Sequence, residues 1–186
     1  MRKNFRIEEP VPGIQLTKHF KQARSQINRL SWSPDGNKLA FGDDETVYVW
    51  DVFGGDIKEI EVSSDFIFDV AWSNDNEALA IATNRELFLC RFESEGGPVL
   101  DHLLYDFVYS VEWSPDGQLL ASSSANRTIS ILDPETSTIR QFSGHRSRVY
   151  CSAWSPDGKS IASCSQDKTI RLWNFRDRPP KIFTGH

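Results

Sequence analysis

Four tryptophans, Trp32, Trp72, Trp113 and Trp154, stand 40, 41 and 41 residues apart, and each opens the same short phrase. Trp32-Ser33-Pro34-Asp35-Gly36 recurs as Trp72-Ser73-Asn74-Asp75-Asn76, Trp113-Ser114-Pro115-Asp116-Gly117 and Trp154-Ser155-Pro156-Asp157-Gly158. A fixed period in this range signals one supersecondary unit stacked several times. Residues that recur with the repeat are therefore structural before they are anything else.

Each unit has the same internal order. An alternating apolar stretch ends in the tryptophan: Ile27 to Trp32, Ile67 to Trp72, Val108 to Trp113 and Val149 to Trp154. In three units a Pro-Asp-Gly turn follows, with proline preset for the second turn position and glycine free to take positive φ. A second strand runs over Lys38 to Gly42, Glu77 to Ala82, Leu119 to Ser123 and Ser160 to Cys164. A third is predicted over Thr46 to Asp51, Glu86 to Arg91, Thr128 to Asp133 and Thr169 to Asn174. The fourth, more variable strand covers Ile57 to Val62, Val99 to Leu104, Thr138 to Phe142 and Lys181 to Thr184. Short β-rich runs separated by turn chemistry, without a helical period, make the chain all-β. Four-stranded units of this period are the blades of a β-propeller.

The fourth unit carries a specific resemblance. Gly144-His145, Val149, Trp154 to Gly158, Ile161-Ala162-Ser163 and Asp167-Lys168-Thr169-Ile170-Arg171-Leu172-Trp173-Asn174 resemble a nearly complete WD40 repeat. Repeat one keeps Asp44 and the Trp50-Asp51 pair, repeat three keeps Asp133 behind Leu132, and repeat two has Cys90-Arg91 at the Trp-Asp positions. The expected fold is thus all-β, with four WD40-type four-stranded antiparallel blades in an incomplete ring. Residues 1–13 read as an N-terminal tail and 14–22 as an outer, closing strand. The blades are expected at 23–62, 63–104, 105–143 and 144–184, with 185–186 opening a fifth repeat.

His145, Ser163 and Asp167 have the residue types of a hydrolase triad, but no strained Gly-x-Ser-x-Gly turn surrounds Ser163. The resemblance implies a different role: with Trp173 they form a buried structural tetrad tying the outer loop to the inner strands. Such a network is stabilising only when every member is paired. The position of His145 is taken by Ala23, Ser63 and Leu104 in the other units, so those blades are expected to rely more on packing.

The resemblance also places ligands at the upper face, around the residues before each first strand. The positions four before the tryptophans are Asn28, Phe68, Tyr109 and Tyr150, and those six before are Gln26, Phe66, Phe107 and Arg148. Arg24, Tyr105, Arg146 and Gln166 complete the candidate face. Aromatic residues and arginine suit desolvated anchors in an interface. The alternative is that these rings only pack against adjacent blades. Aromatic rims on an acidic chain make a Lys- or Arg-bearing peptide the expected ligand, through cation–π contact.

Composition mainly excludes. A formal charge of −5 argues against nucleic acid or an anionic membrane as the main partner. No apolar run approaches the ~20 residues of a membrane helix. The basic N-terminus leads into Glu8 and Glu9 rather than an apolar segment, so it does not read as a secretory signal. Three cysteines, Cys90, Cys151 and Cys164, form no CxxC pair; Cys151 and Cys164 lie in apolar strands, and all three are expected to be structural and buried. A reducing, cytoplasmic location is the default expectation. No cofactor or metal motif stands out.

Gly185-His186 repeats Gly144-His145 at a spacing of 41, and Phe20 matches the outer-strand Phe142. Three arrangements fit: a fragment of a longer propeller, two chains completing an eight-bladed ring as a homodimer, and a four-blade form. The functional expectation is a non-enzymatic scaffold that binds a protein or peptide partner. A sensor region of a larger protein is the second reading and a propeller hydrolase the weakest.

Overall fold

The computed structural model describes residues 25–62, 66–93, 97–175 and 179–185. Every element there is a strand. Blade 1 comprises β1 (Leu30–Trp32), β2 (Lys38–Gly42), β3 (Thr46–Asp51) and β4 (Ile57–Glu61). Blade 2 comprises β5 (Ile67–Trp72), β6 (Ala78–Thr83), β7 (Glu86–Glu93) and β8 (Gly97–Tyr105). Blade 3 comprises β9 (Val108–Trp113), β10 (Leu120–Ser124), β11 (Thr128–Asp133) and β12 (Thr138–Ser143). Blade 4 comprises β13 (Val149–Trp154), β14 (Ser160–Ser165), β15 (Thr169–Asn174) and β16 (Lys181–Thr184). Each blade is an antiparallel meander in chain order, so the expected all-β row of four blades holds, and the row is not closed into a ring.

The recurring turn phrase acts through two side chains. In each blade the serine hydroxyl donates to the aspartate two residues on, from Ser33 to Asp35 at 2.6 Å through Ser155 to Asp157 at 2.6 Å. The same hydroxyl accepts the backbone N–H beyond the turn, from Lys38, Ala78, Leu119 and Ser160. These serine bonds and backbone N–H bonds hold all four carboxyls below the usual aspartate range. Gly36, Gly117 and Gly158 close the turn at positive φ, and Asn76 takes the same conformation at 67°. Asparagine tolerates that region, which is why repeat two keeps its turn without glycine.

The core lies between blades rather than within them. In β6, Leu79 and Ile81 pack towards blade 1 with Val47, Val49 and Ile60. Ala80 and Ala82, on the opposite face, pack towards blade 3 with Val108, Val111 and Leu120. Successive strand residues point to opposite faces, so a strand clasped on both sides is apolar throughout. Ala121, Ile129 and Ile131 of blade 3 meet Val149, Trp154, Ile161 and Trp173 of blade 4 in the same way.

The outer faces of the end blades depart from this rule. Leu30 is 59% and Trp32 53% exposed, whereas Trp72 and Trp154 are buried. On blade 4, Ile170 is 41% exposed although its blade 3 counterpart, Ile129, is fully covered. This corrects the expectation of buried cysteines. Cys90 is buried, and burial pushes its thiol up to about 11. Cys151 is half-buried and Cys164 exposed, and the two are direct cross-strand partners. They occupy the sheet face that no other described blade covers, so apolar strand neighbours do not bury them.

β1 is also shorter than its pattern predicts. In blades 2 to 4 a backbone N–H of the β-turn beyond the second strand bonds the carbonyl of Phe66, Phe107 or Arg148 and so extends the inner strand. In blade 1 the corresponding donor, Asp44 N–H, goes to the Ser25 hydroxyl instead. Pairing then begins only at Leu30 with Phe41.

Candidate partner-binding face

The upper end of each blade gathers the segment entering the first strand and the turn between the second and third. In blades 2, 3 and 4 the inner strand carries a β-bulge there. Ile67 pairs Thr83 and Asp69 pairs Ala82, leaving Phe68 unpaired. Val108 and Ser110 likewise flank Tyr109, and Val149 and Cys151 flank Tyr150. A bulge inserts one residue against the partner strand and re-aims its side chain. Here the residue re-aimed is aromatic three times in succession.

These rings touch. Phe66 and Phe68 lie 5.0 Å apart between centroids, Phe68 and Phe107 5.1 Å, Phe107 and Tyr109 4.8 Å, and Tyr109 and Tyr150 5.3 Å. The contacts form one unbroken row across three blades, in tilted and edge-on geometries of the kind the ring quadrupole favours over a face-to-face sandwich. The row keeps a wet side: Phe66 is 37% and Tyr150 43% exposed, and Phe68, Phe107 and Tyr109 are half-buried. Arg148 is exposed and donates from Nη1 to the Tyr109 hydroxyl at 3.3 Å. Arg146 and Gln166 are exposed at the same end of blade 4, where Gln166 Oε1 accepts from the Ser147 hydroxyl. Arg24 lies outside the described residues, as does the side chain of Tyr105, and so does the segment 14–22 expected as a closing strand.

His145, Ser163, Asp167 and Trp173 also come together. Ser163 Oγ accepts from Trp173 Nε1 at 2.8 Å and lies 2.8 Å from His145 Nε2. His145 Nδ1 is 2.8 Å from Asp167 Oδ2, which also accepts the Arg146 N–H, while Oδ1 accepts from Thr169. Burial alone would raise the Asp167 carboxyl. The donors from Thr169, Arg146 and His145 outweigh it and hold the group far below its ordinary value. His145 and Ser163 are buried, and the Ser163 hydroxyl is held between an indole and an imidazole. A nucleophile needs an open approach, and this one lacks it.

The other blades carry polar locks of their own, which corrects the expectation that they rely on packing. In blade 3, Asp106 accepts from the Phe107 N–H, the Ser124 hydroxyl and the Asn126 amide. In blade 1, the buried Asp43, rather than Asp44, caps the turn by accepting from Thr46 N–H and the Tyr48 hydroxyl. Thr83 takes the capping position in blade 2. Asp43, Thr83, Ser124 and Ser165 occupy one register position, and that alignment was the available signal. Asp69 and Glu112 also escaped the sequence reading. Asp69 Oδ2 accepts the Val111 N–H at 3.2 Å and Glu112 Oε2 the Trp154 N–H at 2.9 Å, each from the next blade. Burial raises both carboxyls, Asp69 to about 6.

Residues 20–178 match the family described as WDR19 first beta-propeller. The chain belongs to that family. Membership in this WD40-type family agrees with the bladed architecture. At the opposite end from the aromatic row, a groove between the lower turns of blades 2 and 3 is lined by Lys38, Asp75, Arg91, Phe92 and Trp113. Arg91 there pairs with Asp101 and Glu135, so its charge is engaged within the chain. Among the described residues no cluster of three or more His, Cys, Asp or Glu side chains is placed to hold a metal.

Proposed function

We propose that this propeller is a non-enzymatic scaffold whose upper face binds a peptide segment of a partner protein along the aromatic row of blades 2 to 4. The observation carrying this reading is that the bulges spend three strand positions on turning Phe68, Tyr109 and Tyr150 out of the pairing pattern, into a row that retains exposed ring surface. Rings that served only as packing would be buried like Trp154 or Trp173. Half-exposed aromatic rings held rigid by their neighbours lose little entropy on binding and bury large area.

The test is selection of random displayed peptides on the 186-residue chain, followed by affinity measurement on Tyr109→Ala combined with Tyr150→Ala. Truncating two anchors is expected to weaken the selected peptides at least ~tenfold, since each anchor contributes ~1 kcal/mol or more. Equal binding by the double variant, with its melting temperature retained, would remove the aromatic row from the binding site.

A further inference from the structure

We infer that the peptide this face accepts is acidic: an apolar or aromatic anchor flanked by Asp and Glu carboxylates that lie over blades 3 and 4. The inference rests on the peptide-binding reading above and reverses the charge expected from the chain as a whole.

The reversal comes from where the charges sit. The chain is formally −5, yet at the upper end of blades 2 to 4 the described carboxylates are committed internally. Asp106 is bound by three donors, Asp167 is bound by His145, Arg146 N–H and Thr169, and Asp69 accepts Val70 and Val111 N–H groups from a largely buried position. Glu86 is half-buried and paired with His102. The cations at the same end of blades 3 and 4 are exposed: Arg127, Arg146, Arg148 and Lys168, all on loops bordering the row. Arg148 reaches into the row through its contact with Tyr109.

Among the described residues blade 1 has the opposite net sign, with Glu45 and Glu61 exposed and Asp44 half-buried at its upper end against the exposed Arg29. Over the described residues the face is therefore polarised along the direction of the aromatic row, basic over blades 3 and 4 and acidic at blade 1. Carboxylates of a ligand gain charge-assisted, geometrically matched bonds from arginine. A Lys-rich ligand would set like charges against Arg146 and Arg148, which costs affinity and slows encounter.

The deciding experiment reads the flanks of the peptides enriched by the displayed random library, then measures synthetic versions by fluorescence anisotropy at low and high salt. Enriched peptides are expected to carry Asp or Glu beside an apolar anchor, to lose about tenfold in affinity on Arg146→Glu with Arg148→Glu, and to weaken as salt screens the pairing. Enrichment of neutral or Lys-flanked peptides, or affinity unchanged by the double reversal, overturns the acidic inference and leaves the face reading intact. Failure to enrich any peptide over the Tyr109→Ala, Tyr150→Ala control overturns both. Arg146 and Arg148 are exposed, so the reversal leaves the core untouched, and a retained melting temperature separates lost binding from lost folding.

Discussion

Asp69 on β5 accepts the backbone N–H of Val111 on β9, 3.2 Å away in the next blade, from a position buried enough to push its carboxyl up to about 6. Burial is the largest cause; the Val111 bond and the Arg29 charge oppose it, and Glu112 adds to it. The inner strands have no further strand on the axis side, so their N–H groups reach across to neighbouring side chains. Ser31 accepting from Trp72 and Glu112 accepting from Trp154 do the same.

The raised carboxyl makes a signed prediction. Below its ordinary value near 3.8 Asp69 is protonated folded or unfolded and costs nothing; as the pH rises from about 4 to about 6 the unfolded chain releases the proton that the fold retains, and stability falls by about 3 kcal/mol. Asp69→Asn keeps an acceptor for Val111 and removes the charge. The variant is expected to gain on the wild type through that window and to keep its advantage at pH 7. Urea denaturation of both proteins from pH 4 to pH 7 measures the difference, and a pH-independent loss in the variant would contradict it.

The tetrad predicts stability effects rather than catalytic ones. His145→Ala leaves Ser163 and Asp167 short of a buried partner and should cost ~1–3 kcal/mol. Because the Asp167 carboxyl is lowered in the fold, its stabilisation is present above the ordinary aspartate value and is lost as the pH falls below it. The wild type and the variant should be equally inert to small activated esters. Esterase activity that disappears with His145 while the melting temperature stays unchanged would restore the hydrolase reading.

Gly42 tests the fit between blades 1 and 2. A Cβ there would stand 2.5 Å from Cγ2 of Ile67, a side chain with no exposed surface to retreat into. Gly42→Ala is expected to cost ~1–3 kcal/mol by overpacking, and less than that when made in an Ile67→Ala background, which removes the clashing Cγ2. Thermal melts of the single and double variants check both statements.

The thiols should separate by position. A water-soluble aromatic disulfide reagent is expected to modify Cys164 first, Cys151 more slowly, and Cys90 only once denaturant opens the interface between blades 1 and 2. Mass mapping of the modified peptides gives the order. Early labelling of Cys90 would show that the blade interface opens in the native state.

The strands, the turn phrase and the blade 4 tetrad were legible in the sequence because each is set by spacing within one repeat. Fifteen of the sixteen strands have bounds that moved by only a residue or two, or not at all, and β1 moved furthest because its pairing depends on Ser25 and Asp44. What lies between repeats was not legible. The exposure of Cys164 depends on whether another blade covers its sheet face, and the burial of Asp69 depends on the blade that does. Asp106 lies 18 and 20 residues before Ser124 and Asn126, and the three become a lock only when the strands fold back. The sign of charge at the upper face was hidden for the same reason. Net charge counts every carboxylate equally, whereas the fold ties Asp106, Asp167 and Asp69 into internal hydrogen bonds and leaves Arg146 and Arg148 in solvent. Local chemistry along the chain determined the blades; which groups face water was decided by their packing on one another.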